Sequence, residues 1–162
     1  MKEWIKPLEK MGACEEAIKW CGDYDTLGEA WLKCKRGDWM LWLLGRLSDE
    51  PESDSRKKLV LTACRCARLA LPHVKVGELR PLKAIETTER WAMGEDGITL
   101  DDVRTAASAA YAAYAATSAA SAAYAAYAAT SAASAARKII LKKCAGIVRE
   151  YYEAPELTCE RK

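Results

Sequence analysis

The chain has no phenylalanine and a single histidine, His73, among its 162 residues. One imidazole is too few for the catalytic pairs and zinc-ligand sets that use several histidines. The sequence also lacks a glycine-rich phosphate-binding loop and a nucleophile elbow. No catalytic constellation emerges, so we expect a protein that is not an enzyme and uses no cofactor.

Strong net charge and long apolar runs are missing as well. A formal net charge of +2 argues against a nucleic-acid binder held mainly by phosphate contacts, and gives no electrostatic reason to bind a membrane surface. The charged start MKEW is followed by no apolar signal-peptide core, and no run of about 18 apolar residues could span a bilayer. We therefore expect a cytoplasmic protein with neither nucleic acid nor membrane as a partner.

The seven cysteines lack the spacing of a zinc knuckle, because the closest pair is CxC and no CxxC occurs. An odd number of cysteines without a secretion signal favours reduced thiols, several of them buried as small apolar residues. A metal or redox role is the weaker interpretation, and we predict no metal site. The cysteines are Cys14, Cys21, Cys34, Cys64, Cys66, Cys144 and Cys159.

Residues 105–136 contain only Ala, Ser, Thr and Tyr, with Ala at 20 of the 32 positions. Ala has the best helix propensity, and Thr99 is a suitable N-cap with Asp101 and Asp102 in the first turn. Two identical 13-residue copies, 106–118 and 119–131, follow each other. Thirteen residues rotate a helix by about 220°, so the four tyrosines wind around the axis and leave no single apolar face. The pattern predicts a central helix buried among neighbours.

A helix over residues 99–136 would be roughly 55 Å long, whereas a globule of this chain length is about 40 Å across. It must protrude, bend or break, and we favour a kink or a hairpin near residues 117–121. The threonines do not align on one face, which excludes an ice-binding helix. The predicted fold is all-α, a single-domain helical bundle around the long Ala/Tyr-rich helix over residues 1–155, followed by a tail at 156–162.

Shorter helices are predicted on both sides of this stretch. Asp25 or Thr26 would cap a helix over 27–34, and Asp38 would cap the next helix, 39–47, which is apolar nearly all round. Ser53 or Asp54 would begin a helix that Pro72 ends at Leu71, and Pro81 would lie in the first turn of a helix over 82–93. A broad apolar face follows between Ile139 and Val148, and Gly146 lies inside this run, where glycine disfavours a continuous helix.

Two groups of residues are candidates for binding a partner protein. The first has the composition of interface hot spots and comprises Arg36, Trp39 and Trp42. The second is a basic helix face formed by Lys58, Arg65 and Arg68. Each group also has a structural explanation: the tryptophans can belong to the core, and the basic face can be solvated or paired with carboxylates of a neighbouring helix.

Several segments in order resemble one protein family. They are RGDWMLWLLGRL (36–47), KKLVLTACRCARLAL (57–71), RPLKAIETTERWAMGE (80–95), and the AAYAAYAA stretch followed by KKCAGIVREYY (142–152). Together they resemble immunity proteins of the Imm-5-like type from bacteria and phages, over residues 20–155. The resemblance implies a small protein that binds and neutralises a toxin, with no catalytic residues to transfer.

Two functions therefore remain open at this point. The first is stoichiometric inhibition of a bacterial toxin or defence effector by an immunity-type protein. The alternative is a structural or self-associating helical module, a homo-oligomer formed through the Ala-rich helix. The oligomeric state would separate them, because the alternative requires a stable complex of identical chains.

Overall fold

Helices account for all the regular structure in a computed structural model that describes residues 2–50, 52–109 and 129–157; no strand occurs in these ranges. The predicted all-α class is thus confirmed. The middle of the Ala/Tyr-rich stretch, with the predicted kink or hairpin at 117–121, lies outside the described residues. None of the helices in the described ranges has the length and hydropathy of a membrane-spanning segment.

The chain divides into two compact units, of which the first joins both ends of the sequence, Met1–Ser48 and Leu141–Lys162. It contains a 3-10 turn at Glu3–Ile5 and four helices: α1 (Lys6–Lys10), α2 (Glu15–Cys21), α3 (Leu27–Lys33) and α4 (Gly37–Leu47). It also contains the end of α8 (Ala129–Tyr151). We call this the terminal unit.

The second unit, Asp49–Ile140, is here called the middle unit. It contains α5 (Asp54–Arg68), a 3-10 turn at Leu71–His73, α6 (Arg80–Ala92) and α7, which begins at residue 100 and is described to residue 109. The predicted division into one helical domain at 1–155 and a tail at 156–162 stays a prediction.

The core of the terminal unit is built from apolar residues at helical spacing. In α4 the buried positions are Gly37, Met40, Leu43 and Leu44, which lie on one side of the helix. Val148 in α8 is completely buried, as is Ala145 one turn earlier. Trp31 fixes α3 in this core, since its indole Nε1 donates a hydrogen bond to the carbonyl oxygen of Tyr152 at 3.3 Å. Trp31, which is buried, is thus the bulky anchor of α3.

Gly37 lies where only a glycine fits. A Cβ atom there would come within 2.4 Å of the Cβ atom of Cys144 and 2.6 Å of the backbone nitrogen of Ala145. The start of α4 therefore packs directly on the backbone of α8. Gly146 has the opposite surroundings, with nothing within 4 Å of a Cβ atom, and it does not interrupt α8.

In the middle unit, α5 packs against α6. The buried side of α5 presents Leu59, Thr62, Cys64 and Cys66, and that of α6 presents Ile85, Trp91 and Ala92. The buried hydroxyl of Thr62 donates to the carbonyl oxygen of Lys58 at 3.0 Å, which satisfies its hydrogen-bonding need inside its own helix. The residues that the two helices bury are therefore mainly apolar ones.

Three predicted helix starts are confirmed by cap hydrogen bonds. The hydroxyl oxygens of Thr26 and Ser53 accept from the backbone N–H three residues ahead, at 3.1 and 3.2 Å. Thr99 and Asp102 form a reciprocal capping box, in which each side chain accepts from the other residue's backbone N–H. Pro81 lies in the first turn of α6, as expected.

The prediction that Asp38 caps α4 is wrong. The helix begins one residue earlier, at Gly37, and Arg36 at its N-cap position makes no side-chain cap bond. The carboxylate of Asp38 instead accepts two hydrogen bonds from the Arg36 guanidinium. The predicted end of α5 at Leu71 is also displaced, since the helix stops at Arg68. Pro72 lies within the 3-10 turn at Leu71–His73 that follows.

Candidate functional site

Arg36 and Trp39, both predicted from the sequence, are in direct contact. The Cζ atom of Arg36 lies 4.2 Å from the centroid of the Trp39 ring, which is the geometry of a cation–π interaction. Residues 36 and 39 are one turn apart at the start of α4, so their side chains lie on the same side of the helix. Both are half-buried, so each keeps an accessible surface.

The guanidinium of Arg36 is fixed by two carboxylates. Its Nε and Nη2 atoms donate to the two oxygens of Asp38 at 2.9 and 2.8 Å, and its Nη1 atom donates to both oxygens of Glu16 at 3.1 and 3.2 Å. Burial opposes ionisation of Asp38, but the hydrogen bonds from Arg36 outweigh it and hold the pKa of that carboxyl below its ordinary value. The same hydrogen bonds raise the pKa of Arg36. The side chain is therefore charged and held in one orientation.

Two further aromatic residues extend this arrangement. The ring centroids of Trp20 and Trp39 are 5.9 Å apart, and those of Trp20 and Tyr24 are 4.6 Å apart, both with tilted planes. Such tilted pairs add about 0.5–1.5 kcal/mol beyond the burial of area. Trp20 and Tyr24 were not predicted as site residues. Their one signal in the sequence is the four-residue spacing of two aromatic residues, which is a weak one because Tyr24 lies beyond the end of α2.

Trp42 lies beside a small cavity instead of deep in the core. The cavity has a volume of about 60 Å³ and an almost wholly apolar lining that includes Ala17, Trp20, Trp39 and Trp42. The guanidinium of Arg46 lies 5.6 Å from the Trp42 ring centroid. Trp20, Tyr24, Trp39 and Trp42 are all half-buried, so together with Arg36 they form a contiguous accessible feature, here called the aromatic surface.

The basic residues predicted as a second group all lie in α5 of the middle unit. Arg68 forms a two-point ion pair with Glu89 of α6, with hydrogen bonds of 2.8 and 2.6 Å. For Arg68, this ion pair agrees with the structural explanation of the basic face, in which its residues pair with carboxylates of a neighbouring helix. Lys58 and Arg65 are exposed on the same helix. The six predicted residues thus belong to two units, and the structure brings Arg36 and Trp39 into direct contact.

The cysteines of the described residues are mostly buried, with Cys14 the exposed exception. Burial raises the pKa of Cys21 and of Cys64 to about 11, and it also raises the pKa of Cys34. Such thiols are neutral at physiological pH and poor as nucleophiles or metal ligands. In the described part of the chain, no three His, Cys, Asp or Glu side chains are grouped as metal ligands would be.

Comparisons of the chain with protein-family models, with curated proteins and with solved structures find no match. The resemblance to immunity proteins therefore stays an expectation from the sequence. A function for this chain must therefore follow from the chemistry of the aromatic surface. It offers large rigid apolar rings and a pre-oriented cation, which is the chemistry of binding another protein.

Proposed function

We propose that this protein binds and neutralises a bacterial toxin or defence effector by forming a stoichiometric complex through the aromatic surface. The observation that carries the proposal is the stack of Arg36 on Trp39, with Trp20 packed beside it. Trp, Tyr and Arg dominate the binding energy of protein interfaces, and this surface combines all three.

The rigidity of the surface supports this proposal. A flexible arginine loses rotamer freedom when a partner binds, at a cost of about 0.5–1.5 kcal/mol for each immobilised side chain. Arg36 has already lost that freedom in the unbound protein, because Asp38 and Glu16 hold all three guanidinium nitrogens. A partner that packs on the aromatic surface therefore meets a preorganised site, which favours tight one-to-one binding.

The immunity-type role comes from the resemblance of residues 20–155 and is part of the same proposal. Within that resemblance, RGDWMLWLLGRL is the segment that contains Arg36, Trp39 and Trp42. One of the segments that carry the resemblance therefore supplies three residues of the aromatic surface. An inhibitor that acts by occupying a toxin needs no catalytic group of its own.

The experiment has two steps. Affinity capture from the native cell, with mass spectrometry, identifies a protein retained at equal stoichiometry. The affinity of the purified pair is then measured for the wild type, for Trp39→Ala, and for Leu32→Ala, a matched change at an exposed apolar residue of the same unit. We expect Trp39→Ala to weaken binding about 30-fold or more, the scale of a hot-spot residue, and Leu32→Ala to change it less than threefold.

Neutralisation is tested by co-expression with the captured protein, since the wild type should rescue growth and Trp39→Ala should not. Circular dichroism of both variants establishes that they remain folded. Equal affinity of Trp39→Ala and the wild type would refute the proposal. So would a stable homo-oligomer in sedimentation with no other protein retained, a result that would favour the self-associating module.

A further inference from the structure

The two arginines beside the aromatic surface differ in what they can offer a partner. Every guanidinium nitrogen of Arg36 already donates to Asp38 or Glu16, and these three side chains together carry a charge of −1. Arg36 therefore offers little electrostatic attraction to a further carboxylate. Its remaining role is to support the Trp39 ring.

Arg46, in contrast to Arg36, is available to a carboxylate of a partner. It is exposed near the end of α4 and forms no ion pair with any residue that the structure describes, so its guanidinium donors remain accessible. It lies 5.6 Å from the Trp42 ring centroid, and its Nη2 atom is close to the Gly12 turn. The Trp42 end of the aromatic surface is thus basic, whereas the Trp39 end is acidic.

The cavity lies between these ends. One water molecule needs about 10–15 Å³ of cavity space, so about 60 Å³ holds a group of several heavy atoms but is much smaller than a drug-sized ligand site. Water in this cavity would find almost no hydrogen-bond partner, because the lining is apolar. Among its lining residues, the indole nitrogen of Trp31 is already bonded to the carbonyl oxygen of Tyr152. A single apolar side chain matches both the size and the chemistry.

We propose that the partner protein inserts one aliphatic side chain into the cavity lined by Ala17, Trp20, Trp39 and Trp42, and places an adjacent carboxylate on Arg46. This inference rests on the proposed function and specifies the chemistry of the partner's contact segment. The aliphatic group displaces poorly bonded water from an apolar cavity, which favours binding. The carboxylate matches the planar donors of Arg46, and repulsion from the Asp38 and Glu16 end fixes its direction.

The test uses capped dipeptides as probes, so that it does not require the partner. Acetyl-Leu-Glu-amide is titrated into the full-length protein while the indole N–H signals of Trp20, Trp39 and Trp42 are followed by NMR. Acetyl-Asn-Glu-amide replaces the aliphatic group with a polar one of similar size, and acetyl-Leu-Gln-amide removes the charge. We expect saturable shifts for Leu-Glu, about tenfold weaker binding for Asn-Glu and about threefold weaker binding for Leu-Gln, the scale of an exposed ion pair.

Two variants and two matched controls assign these effects to residues. Ala17→Leu fills the cavity and should abolish the indole shifts, whereas Ala67→Leu, at an exposed alanine of α5, should not. Arg46→Gln should remove the preference for Leu-Glu over Leu-Gln, whereas Arg104→Gln, at an exposed arginine of α7, should keep it. The comparison of the three dipeptides uses only the wild-type protein, so its result does not depend on whether a variant folds.

Equal binding of Leu-Glu and Asn-Glu, or no saturable shift at all, would overturn the inference. A preference for Leu-Gln over Leu-Glu would overturn its electrostatic part. The outcomes for the two proposals are distinguishable. If Trp39→Ala abolishes capture of the partner while the dipeptides do not bind, the proposed function stands and the inserted side chain is refuted. If the dipeptides bind as expected but no partner depends on Trp39, the proposed function is refuted, and only the preference of the cavity and Arg46 for an aliphatic group beside a carboxylate stands.

Discussion

Gly37 and Cys144 approach so closely that a Cβ atom on Gly37 would lie 2.4 Å from the Cβ atom of Cys144. Non-bonded carbon atoms do not come this near, so the start of α4 must move away from α8 if any larger residue replaces the glycine. This contact brings together residues that are more than 100 positions apart in the sequence. It also positions Arg36, directly before Gly37, and Trp39, two residues after it.

We predict that Gly37→Ala destabilises the protein by about 1–3 kcal/mol, the usual cost of overpacking a tight contact. Gly146→Ala is the matched control, because it also lies in a helix but has nothing within 4 Å of its Cβ position. It should stabilise by about 0.5–1 kcal/mol, since alanine loses less entropy in a helix. Chemical denaturation measures both free energies of unfolding, and equal effects of the two changes would contradict the close contact.

A second prediction concerns Arg149, which caps the end of α3. Its Nη1 atom donates to the carbonyl oxygens of Trp31 and Cys34 at 3.1 and 2.8 Å, and these carbonyls have no helical N–H ahead of them. Arg149→Met should therefore cost about 1.5–3 kcal/mol of unfolding free energy, the range for hydrogen bonds to a charged group. Lys143→Met, at an exposed position of the same helix, should change stability by less than about 0.5 kcal/mol. A similar loss in both variants would refute the cap.

The third prediction is a pH dependence caused by Asp38. Because its pKa is lower in the folded protein than the ordinary 3.8, its pairing with Arg36 stabilises the fold above about pH 4 and is lost as the pH falls further. The difference in unfolding free energy between the wild type and Asp38→Asn should thus be largest near pH 6 and shrink toward pH 3. Arg36→Gln, which removes the other partner, should give the same trend. A difference that stays constant from pH 6 to pH 3 would contradict this linkage.

The fourth prediction concerns thiol reactivity. A pKa of about 11 leaves roughly one thiol in a thousand ionised at pH 8, so Cys21 and Cys64 should react with iodoacetamide far more slowly than the exposed Cys14. Pulse labelling of the native protein followed by peptide mapping measures each site separately. Labelling in denaturant is the control, since the differences between sites should then largely disappear. Equal rates for Cys14 and Cys21 in the native protein would contradict their different burial.

Local signals in the sequence predicted the helix starts well. Thr26, Ser53 and Thr99 each bind a backbone N–H only three residues ahead, so the neighbouring residues decide the outcome. The same cap motif gave a wrong prediction at Asp38, because its carboxylate binds another partner nearby. Arg36 takes that carboxylate and is itself held by Glu16, twenty positions earlier, a competition that a cap motif does not reveal.

Apolar patterns predicted which helices contribute to a core, but only partly which face they bury. The helix containing Trp39 and Trp42 is apolar nearly all round, which favoured core positions for both tryptophans. Its buried face is in fact the one with Gly37 and Leu44, and the tryptophans are half-exposed. Ile139, expected on an apolar face, is 58% exposed. The contact of Arg149 with Cys34 joins residues 115 positions apart, beyond any local pattern.

A unit assembled from both ends of the chain has a consequence for biosynthesis. As translation proceeds, α1 to α4 leave the ribosome long before Val148 and Arg149 exist. At about 5–20 residues per second, synthesis of the intervening 49–140 takes several seconds. During that interval the faces of α3 and α4 that pack against α8 in the folded protein remain exposed. Nascent chains stalled before residue 141 should therefore be the ones that chaperones retain and proteases cleave.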